Sequence, residues 1–182
     1  MKPLILGLSG PVLTPNEATL FRAVEPAGYI LFGHNIADRA QVRALTDSLR
    51  SLSGNPVLPI LIDQEGGRAA RLGPPEWPQF PGGDRLAALY DVAPMTAIEA
   101  ARVNGEVIGL MLAAIGITVN CAPVLDIRRV GTHAAIGDRA LGTTPAQVAA
   151  LGRAMLDGLG SGGVAGVVKH LPGQGRAVVD SH

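Results

Sequence analysis

The densest set of chemically capable side chains in this sequence lies in KHLPGQGRAVVDSH, residues 169–182. Asp180 and His182 are two residues apart. In an extended segment, residues i and i+2 point the same way, so the two side chains can lie together. A carboxylate beside an imidazole fixes its tautomer and favours its protonated form. A general acid/base needs that preparation. Asp-Ser-His alone is a weak pattern that arises by chance. Lys169 and His170 are two cation-capable residues at the end of an apolar run. Neighbours on a strand face opposite sides, so one is expected to aim at a site and the other to brace the loop. No metal-binding pattern such as His-Glu-x-x-His or paired cysteines accompanies them. Neither a metal nor a cofactor is expected.

Other apolar runs also end in polar residues. IDQEGGR places Asp63, Gln64, Glu65 and Arg68 after one such run, with Arg71 three residues further on. An aspartate there can accept hydrogen bonds from a pair of sugar hydroxyls, and an arginine can hold oxygen-rich groups with its planar fork. The plainer reading is a salt-bridged turn. NCAPVLDI carries Asn120 and Asp126, which read most simply as turn and capping groups. AAIGDRALG brings Asp138 and Arg139 into a loop, where a single arginine is usually a surface residue. His34 and His133 lack a nearby second ligand and read as structural. Cys121 sits in an apolar run and reads as a small buried residue.

The elements that must position these groups alternate. Apolar runs at 3–10, 28–33, 57–63, 117–127 and 164–169 predict strands. Helices are predicted over 14–24, 38–52, 96–115 and 144–159. Thr14, Pro15 and Glu17 form an N-terminal capping signature. Asp38 caps the second helix, with Val42, Leu45 and Leu49 on one face. Residues 64–93 read as a long irregular loop, since GPPEWPQFPGGD holds four prolines and three glycines. Continuously apolar strands are those buried on both faces, so the class is α/β with a parallel sheet. Two architectures remain open: a (β/α)8 barrel, of which this chain would cover about the first five β/α units, and an open doubly wound sheet. In both, ligands bind at the C-terminal ends of the strands.

Composition narrows the function classes. Fifteen basic and fifteen acidic residues balance, so no basic face is implied and nucleic acid is not an expected partner. One cysteine excludes a disulfide within the chain. No apolar run approaches the ~20 residues of a membrane span. The opening MKPLILGLSG is short and broken by glycine, so it is not read as a signal peptide. A cytoplasmic protein without a membrane partner is expected.

GYILFGHNI, IDQEGGRAARL, NCAPVLDI, AAIGDRALG and KHLPGQGRAVVDSH occur in this order. Together they resemble the N-terminal part of glycoside hydrolase family 3, and within it the bacterial β-N-acetylglucosaminidases of peptidoglycan recycling. The resemblance covers essentially the whole chain. It implies that residues 1–182 are an incomplete catalytic barrel domain, of the (β/α)8 type or a close variant. The implied activity is retaining removal of terminal N-acetylglucosamine from muropeptide fragments. Asp63 corresponds to the aspartate that binds sugar hydroxyls. Arg71, Arg139, Lys169 and His170 match the other substrate-binding positions. His182 matches the acid/base histidine and Asp180 its orienting partner. Gln174 departs from the family, which usually has histidine there.

The nucleophilic aspartate has no match up to residue 182, because the family carries it on a later strand. Asp126 and Asp138 belong to other motifs and do not fill the role. The expectation is that the rest of the barrel is a partner of this portion, and that residues 1–182 alone do not turn over. A family 3 β-glucosidase and a non-catalytic sugar-binding half-barrel are the competing readings.

Overall fold

A computed structural model describes residues 1–180. Seven strands and five helices follow one another as β1 (Lys2–Leu6), α1 (Pro15–Val24), β2 (Pro26–Leu31), α2 (Arg39–Ser53), β3 (Ile60–Ile62), β4 (Gln64–Gly66), β5 (Ala69–Ala70), α3 (Gly83–Val92), α4 (Pro94–Ala114), β6 (Val119–Asn120), α5 (Pro145–Ser161) and β7 (Ala165–Gly166). Five strands form one parallel sheet in the order β1-β2-β3-β6-β7. The order never reverses along the chain. A doubly wound sheet must reverse once, so that alternative falls. Right-handed crossovers that all step the same way put every helix on one face. The result is part of a β/α barrel, with helices outside.

Local sequence explains the helices. Thr14 Oγ1 accepts from the Glu17 N–H while the Glu17 carboxylate accepts from the Thr14 N–H, which completes the predicted capping box. Asp38 caps α2 through the Gln41 N–H. The face carrying Val42, Leu45 and Leu49 is buried. It packs with Leu31, Ile60 and Ile62 of the strands into the main core. A second core joins α3, α4 and α5 through Leu86, Ala97, Ala101, Leu151 and Met155. The last two helices approach very closely. A methyl group on Gly158 would stand 2.0 Å from the Arg102 carbonyl oxygen.

Three expectations change. The segment 64–93 is not one loop. It begins with the antiparallel hairpin β4–β5 and ends with α3, whose apolar positions are hidden behind the preceding prolines and glycines. Gly66 makes the hairpin possible, with φ +101° and no room for a Cβ, which would lie 2.2 Å from the Pro81 carbonyl oxygen. The run 117–127 pairs as a strand only at Val119–Asn120, with a single further bridge from Val124 to Lys169. Pro123 lacks the N–H that a longer ladder needs. β1 is apolar but not buried: Leu4 and Ile5 are 43% and 45% exposed. Among the described residues it pairs only with β2.

Candidate active site

The C-terminal ends of the parallel strands surround an open cavity of about 530 Å³. Asp63, Glu65, Arg71, Arg139, Lys169 and His170 line it. All five predicted substrate-binding residues are therefore brought to one place. Asp63 leaves β3 directly. Arg71 follows β5. Arg139 closes a single 3-10 turn, Gly137–Arg139. Lys169 and His170 lie just past β7.

Buried amides hold this geometry. Asn120, 1% exposed, uses its side chain as a piece of backbone. Its Oδ1 accepts from the Gln64 N–H at 2.9 Å and its Nδ2 donates to the Gln64 carbonyl at 2.8 Å. The Gln64 side chain in turn accepts from the N–H groups of Arg71 and Leu72 and donates to the Leu72 carbonyl. Two amides thus lock the strand end that carries Asp63 and Glu65 to the segment that carries Arg71. Asn120 is structural, as its plainer reading has it.

Charges are paired throughout. Lys169 Nζ donates to Asp63 Oδ1 at 2.7 Å and lies 2.6 Å from Glu65 Oε1. Arg71 Nη2 reaches Asp63 Oδ2 at 3.3 Å. Arg139 forms a two-pronged pair with Glu65, both contacts at 2.8 Å. Burial pushes the Asp63 carboxyl up, but the hydrogen bond and charge of Lys169, with the charge of Arg71, outweigh it and hold Asp63 below its ordinary value. The Glu65 hydrogen bonds push the Arg139 guanidinium up, against desolvation. The cavity floor therefore offers ionised acceptors beside fixed cationic donors. That mixture suits a ligand rich in hydroxyl groups, since each hydroxyl both donates and accepts.

His170 Nδ1 lies 2.5 Å from Asp126 Oδ2, and the Asp126 side chain is 0% exposed. A carboxylate at that distance selects the tautomer with the proton on Nδ1. Nε2 then faces the cavity, 3.5 Å from Arg139 Nη2.

Several expectations are corrected or extended here. Lys169 and His170 both line the cavity, not opposite faces. Strict alternation belongs to regular strands, and both residues lie past the β7 ladder. Cys121 is half-buried and lines the cavity. Burial, with the Asp63 charge, pushes its thiol up, away from the reactive thiolate. Glu65 is a site residue that the sequence reading does not single out, although its place two residues after Asp63 puts both on one side. Arg68 pairs with Asp138 at 2.5 Å, which ties the hairpin to the 3-10 turn that carries Arg139. His34 Nε2 lies 2.8 Å from the Leu8 carbonyl and His133 Nδ1 accepts from the Ala135 N–H, so both histidines are braces. Asp180 is exposed and does not line the cavity. His182 lies outside the described residues. Among the described residues no cluster of candidate ligands could hold a metal ion.

Comparison with known proteins converges with this geometry. The family model of the glycosyl hydrolase family 3 N terminal domain matches residues 15–182. A beta-hexosaminidase of Alkalilimnicola ehrlichii is 39% identical over 180 residues, covering 99% of this chain and 51% of the relative. One from Bordetella avium is 36% identical over the same coverage. NagZ of Neisseria gonorrhoeae, solved in complex with N-trifluoroacetyl-D-glucosamine, superposes with a TM-score of 0.93 at 33% identity, covering 99% of this chain and 52% of NagZ. A family 3 beta-N-acetylglucosaminidase from Paenibacillus sp. str. FPU-7 gives 0.86 at 35% identity, covering 98% of this chain and 33% of that enzyme. The chain spans about half the length of the curated relatives it matches.

Proposed function

The chain belongs to glycosyl hydrolase family 3, and from that premise we propose that it forms the sugar-binding half of a retaining β-N-acetylhexosaminidase. Its substrate is a peptidoglycan fragment with a terminal N-acetylglucosamine, and its place is cell-wall recycling in the cytoplasm. The observation that carries this reading is the convergence of Asp63, Arg71, Arg139, Lys169 and His170 on one cavity at the strand ends. The sugar bound in the solved NagZ complex supports the N-acetylglucosamine specificity.

Asp63 accepts hydrogen bonds from neighbouring sugar hydroxyls, and its low proton affinity keeps it an acceptor. Lys169, Arg71 and Arg139 donate to the remaining oxygens, and His170 presents Nε2. His182, oriented by Asp180, protonates the departing oxygen. It then takes a proton from the water that releases the sugar. A neutral imidazole activates that water without adding a second negative charge beside the nucleophile. The nucleophile is an aspartate outside residues 1–182. The cavity's own carboxylates, Asp63 and Glu65, are ion-paired, and Asp126 is buried behind His170.

The test is turnover of an aryl N-acetyl-β-glucosaminide by the full-length protein, with the anomer of the first product read by NMR. Cleavage with retention is expected, and residues 1–182 alone should not turn over. Inversion, or a preference for the aryl β-glucoside, would refute the reading.

A further inference from the structure

The buried carboxylate of Asp126 serves two parts of the site at once. Oδ2 holds His170 Nδ1 at 2.5 Å, and Oδ1 accepts from the backbone N–H of Gln174. His170 lines the cavity. Gln174 begins the turn into the segment that runs to Asp180. Two further bonds fix that segment to the loop after Asp126. Thr132 Oγ1 accepts from the Arg129 N–H and donates to the Gly175 carbonyl at 2.5 Å, and the His133 N–H donates to the Ala177 carbonyl at 2.9 Å. Gly175 is in close contact with the same loop, for a Cβ there would stand 2.2 Å from the Ile127 carbonyl oxygen.

We infer that Asp126 is a positioning residue that ties the sugar-binding histidine to the acid/base segment, so that the two are set in register by one carboxylate. A carboxylate accepts at both oxygens, and both are used here. Asparagine has the same shape but only one accepting atom. It can keep the Gln174 bond only by presenting an N–H₂ to His170, which forces the other imidazole tautomer. It can keep the His170 tautomer only by presenting the N–H₂ to an N–H. In either arrangement one half of the tie is lost. Thr132 bonds to the segment, and among the described residues its hydroxyl makes no hydrogen bond to His170.

The roles of His170 and of the segment, and with them the kinetic part of the test, rest on the proposed activity; the Asp126 tie itself does not. In the full-length protein, Asp126→Asn should raise KM on every substrate, through His170. It should also lower kcat on a poor leaving group about tenfold to a hundredfold, and much less on an activated aryl group that needs no proton. Thr132→Val should reproduce the leaving-group effect without the KM effect. Amide exchange at Gln174 should speed up at least about tenfold in Asp126→Asn. If Asp126→Asn does not fold, the ¹⁵N shifts of His170 in the unaltered protein still decide: the Nδ1–H tautomer is expected, and the Nε2–H tautomer overturns the proposal. Equal loss on both leaving groups with unchanged Gln174 exchange also overturns it. If the unaltered protein cleaves neither substrate, the proposed activity falls, and the exchange and tautomer measurements judge Asp126 separately.

Discussion

Lys169 touches two carboxylates at once, and that shared cation organises the cavity. Asp63 is kept below its ordinary 3.8 by Lys169 and Arg71 against the opposing effect of burial. A carboxyl whose folded value is depressed stabilises the fold fully above its unfolded value. That contribution fades as pH falls through the folded value. Asp63→Asn should therefore cost on the order of 1 kcal/mol at neutral pH, a modest figure because the pair is partly solvated. The gap to the unaltered protein should close as pH falls below 3.8. Urea unfolding of both at neutral and acid pH checks this, and a gap independent of pH would contradict it. At this scale the sequence was most legible where chemistry sits at a strand end. Asp63 and Lys169 each follow an apolar run, which marks them as candidates by position, while the family resemblance supplies the roles proposed for them. Glu65 was within reach of the same reasoning, two residues from Asp63. Asp126 was not, because its partner His170 lies 44 residues away and only the folded sheet brings the two together.

The elements were legible in proportion to their regularity. The capping residues Thr14, Glu17 and Asp38 mark two helix starts in the sequence, and the structure places those starts one residue after Thr14 and Asp38. The hairpin β4–β5 was hidden because its strands are two and three residues long, too short for any periodicity. The helix α3 was hidden by the breakers before it, although Asp84 in its first turn and the Leu86–Leu89 spacing were signals. The contact between α4 and α5 could not be foreseen, since glycine in a helix reads only as weakness. Gly158 puts the two effects in opposition. Alanine in a helix interior is favoured over glycine by about 1 kcal/mol. A Cβ 2.0 Å from the Arg102 carbonyl oxygen forces the helices apart, and overpacking costs roughly 1–3 kcal/mol. Packing wins, so Gly158→Ala should lower the melting temperature of the full-length protein. A rise would mean that the helices separate freely.

At the scale of the whole molecule, the sheet is open at β1 and β7 among the described residues. Apolar side chains stand exposed beside both edges, Leu4 and Ile5 at one and Val167 at the other. Uncovered apolar edges are adhesive, so these edges are surfaces for pairing with further strands or with a second copy. The barrel direction follows from strand order, which composition could not supply; the five apolar runs fitted an open sheet equally well. No described helix is long and apolar enough to cross a membrane. The proposed function implies a division of labour, in which residues 1–182 would hold the sugar and the proton-handling pair and an aspartate outside them would attack. A fluorinated N-acetylglucosaminyl fluoride that traps the covalent intermediate tests this most directly. After digestion of the labelled full-length protein, mass spectrometry should find the sugar ester on an aspartate outside residues 1–182. An ester on Asp63, Glu65 or Asp126, or a turnover that leaves no trapped ester, would overturn this division.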